Sequence, residues 1–520
     1  MQAHETRGCE EPPVPSRIRL LLSLRHQELV RRLQRLHATH PKAYLALVAA
    51  VAAGGAGLLV APALTVFLVT VELATSGLAP VAWSTGQWLE AALGLLAGGI
   101  AFVQARLRYP VPHGVRVSTR AAPALHEEVA RVRRHLRAAA VDDVIVDAQP
   151  RVALVRLPHP LLPLLHRNRL LVGAPVLATH APDHFRVQLA RALGEVSAHN
   201  LGLAAWLYRL RQSWVQYRRA LARRRGGRLL ARWLDVYAPF YSRLTQPLLE
   251  AAVLQGDRLA ALVAEEETVA EAICREQLLE DFLEEYYWPR IRKSAERHPE
   301  PRFRPYAHLA LLFRRKLGRA RGLRWLREAW NHDDGTGPSL FRRRLEALGY
   351  AEPLWVPPSE ETAGDRYLPQ ERLRAILARL DMEWMGRERD HWRLRYQTAN
   401  QGRERMARLG RRLEAGRLDV REALEYAALC RKHARPEAAR AAYETLLSRF
   451  PEEPRVLYAV GKYYVSVGDP HGVKLLEWAM EKDSRYVHNA CSLIADFVRR
   501  NGCRDLVATY VQRRLQAREG

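Results

Sequence analysis

The chain has 520 residues, 48% of them hydrophobic, which allows two or three domains with sizeable cores. Its 81 Lys and Arg against 56 Asp and Glu give a net charge of +25, which suits anionic lipid surfaces or nucleic acid without choosing between them. The five cysteines (Cys9, Cys274, Cys430, Cys491, Cys503) are scattered and never spaced C-x-x-C. That excludes a cysteine metal knuckle or a dithiol redox pair and reads as free thiols in a reducing cytosol.

Residues 17–37 place Leu20, Leu21, Leu24, Leu29, Leu33 and Leu36 among Arg19, Arg25, Arg31, Arg32 and Arg35, the pattern of an amphipathic helix against anionic headgroups. From Ala43 to Val71 no residue is charged, and 29 residues exceed the ~20 needed to span a bilayer. A second apolar run, Val81–Val103, carries Gln87 and Glu90 near its start. A carboxylate inside a span is costly, so Glu90 reads as an interfacial residue. Together the runs predict a two-helix transmembrane hairpin turning near Ser76–Pro80. Residues 1–42 hold eight Lys and Arg, the turn at 72–84 none and residues 106–120 four. The positive-inside rule then puts both ends in the cytoplasm.

Beyond the hairpin, residues 122–140 predict an amphipathic helix. Residues 143–157 predict two short strands around Gln149–Pro150, and residues 168–177 a third strand. That strand feeds one long helix, Asp183–Trp214, entered at an Asp cap, with Leu189, Leu193, Val196, Leu203 and Leu207 on its apolar face. Strands followed by long helices predict a helix-rich α+β domain. Residues 217–233 are a basic, partly aromatic run, read as a surface near the anionic membrane because no nucleic-acid module accompanies it. The acidic stretches 265–267 and 279–286 read as exposed helix faces. No H-E-x-x-H or H-x-x-E-H occurs; of the neighbouring His180, His184 and His199, the last two are fifteen residues apart, over four helical turns, and cannot share an ion.

The order of membrane hairpin, small sheet, LLVGAPVL, long helix and WLYR resembles the HtpX-like membrane zinc metallopeptidases, metallopeptidase family forty-eight, with a tetratricopeptide tail. Laying Trp206-Leu207-Tyr208-Arg209 on that group's W-I-Y-R sets Arg191 at the first zinc-binding His, Ala192 at the catalytic Glu and Glu195 at the second His. Tyr237-Ala238-Pro239-Phe240-Tyr241 matches its Y-A-P-Y-F-like segment and Asp257-Arg258 its A-D-R end, which puts Val253 at the third ligand. Thr336-Gly337-Pro338-Ser339-Leu340 resembles its T-H-P-S-L with Gly337 for the His. The resemblance implies a gluzincin-like fold whose ligand and base positions are all substituted. Zinc catalysis needs neutral imidazoles and a carboxylate base, and a guanidinium repels Zn²⁺. Arg191 and Glu195 stand i,i+4, so an Arg191–Glu195–Asp257 ion cluster is expected to fill the vacated metal position.

In the C-terminal third, Pro353, Pro357 and Pro358 mark a linker, and residues 368–415 read as helical, with Trp384, Trp392 and Tyr396 packing. Ala427 and Gly461 are 34 residues apart at small positions of first helices, Tyr443 and Leu476 correspond in second helices, and Pro451 and Ser484 close the units. This is the period and pattern of tetratricopeptide repeats, capped by a third pair at about 486–516.

The expected class is thus mainly α, in five parts: a basic segment 1–42, a hairpin 43–105, a metallopeptidase-like domain 106–350, a linker and connector 351–418, and repeats 419–520. The expected function is a membrane-anchored pseudo-peptidase that binds proteins through 419–520, and the resemblance implies a place in bacterial envelope protein quality control. It sits in the bacterial cytoplasmic membrane with termini and main domains cytoplasmic. No catalytic residue, metal, cofactor or specific nucleic acid is expected. The rival is an active zinc endopeptidase with rearranged ligands.

Overall fold

The structure is a computed structural model that describes residues 28–29, 31–76, 113–158, 166–197, 202–222, 228–333, 337–500 and 510, and within 88–98 all but 90, 93 and 96. Side chains at 58–63 and 73–76 fall outside the described set. The chain is mainly helical with one small four-stranded sheet. It divides into two compact units, residues 1–289 with 303–386 and residues 290–302 with 387–520.

The first unit begins with helical residues 31–39, of which Leu33 is buried. The basic segment therefore does not simply lie on a surface: Leu33 and Leu36 join a core cluster with Leu207, Trp214, Leu234 and Leu248. Helix α1 (Pro41–Ser76) covers the first expected span. Its Tyr44, Val48 and Ala52 are buried in that same cluster, whereas Leu64, Phe67, Leu68 and Val71 are exposed. Helical residues near 88–98 return beside it. A Cβ on Gly94 would lie 2.8 Å from Val69 Cγ1, and one on Gly98 would lie 3.7 Å from Val66 Cγ2. Even so, among the described residues no helix is long and apolar enough to cross a membrane, so the transmembrane hairpin expected at 43–105 is not supported as such. Glu90 lies outside the described residues.

The sheet follows, with β1 (Val115–Val117), α2 (Pro123–His135), β2 (Asp143–Asp147), β3 (Val152–Pro158) and β4 (His166–Gly173). Strand order is β1-β2-β4-β3, with β2 and β4 parallel and the other pairs antiparallel. Strand β1 was not legible, because three residues show no period. Strand β4 stops at Gly173, where a Cβ would lie 1.8 Å from the Gln149 carbonyl oxygen. The remaining Ala174–Thr179 form a short buried helix, α3, rather than strand.

Helix α4 (Pro182–Gly194) is buried nearly all round through Phe185, Val187, Leu189, Ala190, Ala192 and Leu193. Each large aliphatic buried there contributes ~1.5–3 kcal/mol. It is not the single long helix expected over 183–214, nor is it capped by Asp183. Ala181 is the cap residue with Pro182 at the first turn, and Asp183 pairs with Arg186 at 2.9 Å. The helix ends because Gly194 is a poor helix former packed against Leu259, and because Ser197 bridges to Ala138 and donates to the Leu136 carbonyl at 2.5 Å.

The helices α5 (Leu203–Ala222), α6 (Arg228–Leu244), α7 (Gln246–Ala260) and α8 (Glu266–Asp281) complete the centre of this unit. The Tyr237-Ala238-Pro239-Phe240-Tyr241 motif lies in α6 and holds its neighbours by hydroxyl hydrogen bonds. Tyr237 donates to the Val51 carbonyl of α1 at 2.9 Å and Tyr241 to the Leu207 carbonyl of α5 at 3.0 Å.

After α8 a six-residue π-helix (Phe282–Tyr287) buries Phe282, Leu283 and Tyr287. The acidic stretch 279–286 is therefore not a plain exposed face. Burial, with Glu276 and Glu284 nearby, pushes Glu280 up to about 7. Burial likewise pushes Asp281 up to about 6. Then come α9 (Trp288–Ser294), α10 (Pro305–Lys316), α11 (Arg319–Asn331), α12 (Leu340–Glu346) and α13 (Ala363–Tyr367). Ser339 caps α12, accepting from Arg342 N at 3.2 Å and donating to the Ala329 carbonyl at 2.7 Å. The proline-marked stretch at 353–358 packs within this unit: Trp355 seats on Gly322, and Arg275 donates to the Pro357 carbonyl.

Helix α14 (Gln370–Glu414) gives its first residues to this unit and the rest to the second. The second unit continues with α15 (Val420–His433), α16 (Pro436–Arg449), α17 (Pro454–Ser466), α18 (His471–Lys482) and α19 (Val487–Arg500). The starts of α15 and α17 are 34 residues apart, and both pairs pack as hairpins. Ala427, Tyr443 and Leu476 are buried, and the Tyr443 and Tyr463 rings stack at 4.2 Å. The helix that would partner α19 falls outside the described residues apart from Tyr510. In the α17/α18 hairpin the backbones approach closely, since a Cβ on Gly472 would lie 2.6 Å from the Gly461 carbonyl oxygen. Substituting Gly472→Ala should cost about 1–3 kcal/mol by overpacking, read as a lowered urea midpoint, whereas Gly386→Ala, inside helix α14 where a Cβ meets open space, should cost nothing.

Candidate functional site

Four helices converge where the zinc centre was looked for. Helix α4 brings Arg191, α7 brings Asp257, α8 brings Glu276 and α12 brings Arg344. Arg191 Nε lies 3.1 Å from Asp257 Oδ1, and its Nη1 lies 2.7 Å from Glu276 Oε2. Arg344 grips Asp257 with two bonds, Nε to Oδ2 at 2.8 Å and Nη2 to Oδ1 at 3.0 Å, and reaches Glu276 Oε2 at 3.1 Å. Two guanidinium groups and two carboxylates balance to zero charge. The Asp257 and Arg344 side chains are only 3% and 9% exposed, so neither charge is left to water.

The electrostatics follow from that geometry. Burial alone would raise the Glu276 carboxyl, but Arg191 and Arg344 override it and hold it well below the usual carboxylate range. Burial alone would lower Arg344, but Glu276 and Asp257 raise it above the ordinary arginine value. The paired forms are therefore the charged ones.

The structure brings Arg191 and Asp257 together, as the resemblance implied. It does not bring in Glu195, which is the residue after the last turn of α4. The Glu195 carbonyl accepts from Arg209 Nη1 at 3.1 Å, and its charge acts on Arg156 and Arg209. Glu276 and Arg344 take the place assigned to Glu195. Ala192 is buried in the core and offers no polar atom; Val253 is half-buried one turn before Asp257 on α7. Gly337 has φ +130°, a backbone value that favours glycine over the histidine of the resembling motif. Sequence reading missed Arg344 because Arg342, Arg343 and Arg344 are adjacent. Only the burial of Phe341, Arg344 and Leu345 on one face of α12 singles it out.

A metal finds no seat in this set. Both carboxylates are already bonded to guanidinium groups, and a cation would have to displace two arginines. Among the described residues no group of three or more His, Cys, Asp or Glu is placed to hold an ion.

A second polar row lies between α4 and α8. His184 Nε2 is 3.0 Å from Glu271 Oε2, and the His180 ring lies 3.1 Å from Thr179 Oγ1. Burial lowers the pKa of both histidines, helped by the Arg275 charge; for His184 the Glu271 bond only partly offsets this. Burial also pushes the Cys274 thiol up to about 12, so it is no nucleophile. His199 lies outside the described residues.

Family models, curated proteins and solved structures give no match to this chain. The reading of the site therefore rests on its geometry.

Removing one arginine leaves a buried carboxylate short of its partner. Arg344→Met should destabilise by about 3–5 kcal/mol in urea unfolding, while replacing Arg191, Asp257, Glu276 and Arg344 together by apolar residues should recover most of the loss. A cost below about 1 kcal/mol for the single change would contradict the account.

The histidines set a pH window. Their folded pKa values are lowered, so the unfolded chain takes up protons first, and stability is lost as pH falls below about 6.5. Glu276, depressed in the fold, adds a further loss below about pH 4. Near pH 5.5 the stability of a His184→Gln variant should fall less steeply with acidification than the parent, by up to about 1.4 kcal/mol per pH unit.

Proposed function

We propose that the protein is a membrane-anchored pseudo-peptidase of the HtpX-like type that serves as a protein-binding scaffold and performs no hydrolysis. The observation that carries this reading is the Arg191 guanidinium, held by Asp257 and Glu276 at the place where the resemblance sets the first zinc-binding imidazole. A cation occupies the position of a cation's ligand. The neighbouring positions, Ala192, Glu195 and Val253, supply neither a base nor an imidazole.

Anchoring is the second element of the proposal. The uncharged run 43–71 supports it, and so do the exposed apolar side chains of Leu64, Phe67, Leu68, Val71, Trp88, Leu89 and Leu95. The close approach of Gly94 to Val69 and of Gly98 to Val66 is the small-residue packing that apolar helices use in lipid. The charge bias of the flanks gives cytoplasmic ends, in a bacterial inner membrane. The helical hairpins after Val420 have the tetratricopeptide period, and such stacks present a concave face to a protein partner.

The test is direct. Detergent-purified full-length protein should contain no stoichiometric zinc and should leave casein intact with or without added Zn²⁺. The chain should also stay with the membrane pellet after alkaline carbonate washing. Stoichiometric zinc with chelator-sensitive cleavage would replace this reading by the active peptidase.

A further inference from the structure

Helix α1 runs antiparallel to α6. Tyr44 donates to the Leu244 carbonyl at 2.7 Å and Tyr237 to the Val51 carbonyl at 2.9 Å, so seven residues up one helix match seven down the other. Between these contacts Tyr44 and Val48 are buried while Leu47 is exposed. Tyr237 seats so tightly against Gly55 that a Cβ there would fall 2.1 Å from its hydroxyl. Continuing the register, the start of α6 at Arg228 lies level with residue 60 of α1. Beyond that level Leu64, Phe67, Leu68 and Val71 are exposed, while Val66 and Val69 lie beside Gly98 and Gly94. The distance from residue 60 to Ser76 is ~25 Å at the helical rise.

At this level the α5–α6 pair has an unusual composition. Trp214, Trp233 and Tyr237 form one aromatic cluster, Trp233 stacked on Tyr237 at 4.6 Å and Trp214 edge-on to both at 6.5 and 5.2 Å. From Trp214 to Trp233 the sequence holds seven arginines and no carboxylate. Of those described, Arg218 is one-third exposed, 3.5 Å from Asp235, and Arg232 is exposed on α6. An aromatic layer beside Arg218 and Arg232, next to a helix whose far part exposes Leu64, Phe67, Leu68 and Val71, is the profile of a membrane-water boundary.

We propose that this end of the α5–α6 pair is a second membrane contact: a basic collar around α1 that binds anionic phospholipid headgroups. The proposal rests on the anchoring reading above and adds a lipid preference and a depth to it. Arg218 and Arg232 supply the charge, and the aromatic cluster fixes the height at which α1 leaves the protein.

The experiment uses the full chain in a neutral detergent, with native mass spectrometry counting bound phosphatidylglycerol against phosphatidylcholine from an equimolar supply. The parent should retain phosphatidylglycerol preferentially. Arg232→Glu with Arg218→Gln should cut that preference by about fivefold or more per charge removed, and Arg232→Lys with Arg218→Lys should keep it. Unchanged circular dichroism melting shows that the variant folds. Equal retention by parent and charge variant would overturn the collar, as would an oligonucleotide that binds the parent and displaces the lipid. Carbonate extraction of the same variants separates the two readings: loss of the parent from the pellet defeats anchoring itself, whereas a variant that stays in the pellet without its lipid preference supports the collar.

Discussion

The first unit depends on a single buried exchange of charge. Asp257 and Glu276 sit between Arg191 and Arg344 on four separate helices, flanked by two further polar ties between them, His184 to Glu271 at 3.0 Å and Arg343 to Glu250 at 2.9 Å. Such a cluster contributes little net stability over a well-packed apolar core, because the desolvation of four charges offsets most of their attraction. What it contributes is registry. A guanidinium that bonds one carboxylate through two nitrogens tolerates neither rotation of α12 nor a slip of α7 by one turn. Losing one member of the cluster is therefore costly, whereas exchanging all four for apolar residues together is not.

The motifs that carry the resemblance have structural work to do whatever the chemistry. The aromatic residues of Tyr237-Ala238-Pro239-Phe240-Tyr241 donate to the carbonyls of α1 and α5; Arg209 of the WLYR motif ties the end of α4 through the Glu195 carbonyl; Ser339 caps α12 so that Arg344 points at Asp257. Each is a scaffold contact around the ion cluster, with no catalytic group among them. A frame retained on these grounds needs no hydrolysis to explain it, and that is why the motifs alone argue weakly for activity.

Much of this was legible in the sequence, and the failures have physical causes. Strands β2, β3 and β4 were readable because apolar runs met turn residues, and the C-terminal hairpins because a small residue must recur where helices touch, as at Ala427 and Gly461. The break after Gly194 was hidden because Val196, Leu203 and Leu207 continue the apolar period across it. What stops α4 is a non-local bond, Ser197 to Leu136. The pairing of Arg191 with Asp257 was expected from the resemblance, while the i,i+4 spacing pointed to Glu195, which the cluster leaves out. Glu276 lies in an unremarkable helix and Arg344 is one of three adjacent arginines, so only the tertiary fold selects them. The basic N-terminal segment misled in the opposite way, since Leu33 gives the amphipathic face a protein core to pack on.

The α5–α6 pair joins the two ends of this unit. Arg209 and Leu207 connect α5 to the end of α4 and to Tyr241, a few residues from the cluster, while Trp214, Trp233 and Tyr237 face α1. Tyr241 and Tyr237 stack at 5.9 Å, so the aromatic column runs unbroken along α6. Close packing transmits displacement along such a column, because aromatic rings interdigitated at native density cannot move singly. A tilt of α1 would therefore press on α6 and α5 before it reached α4. The bonds that resist it there are the four ion pairs of the cluster.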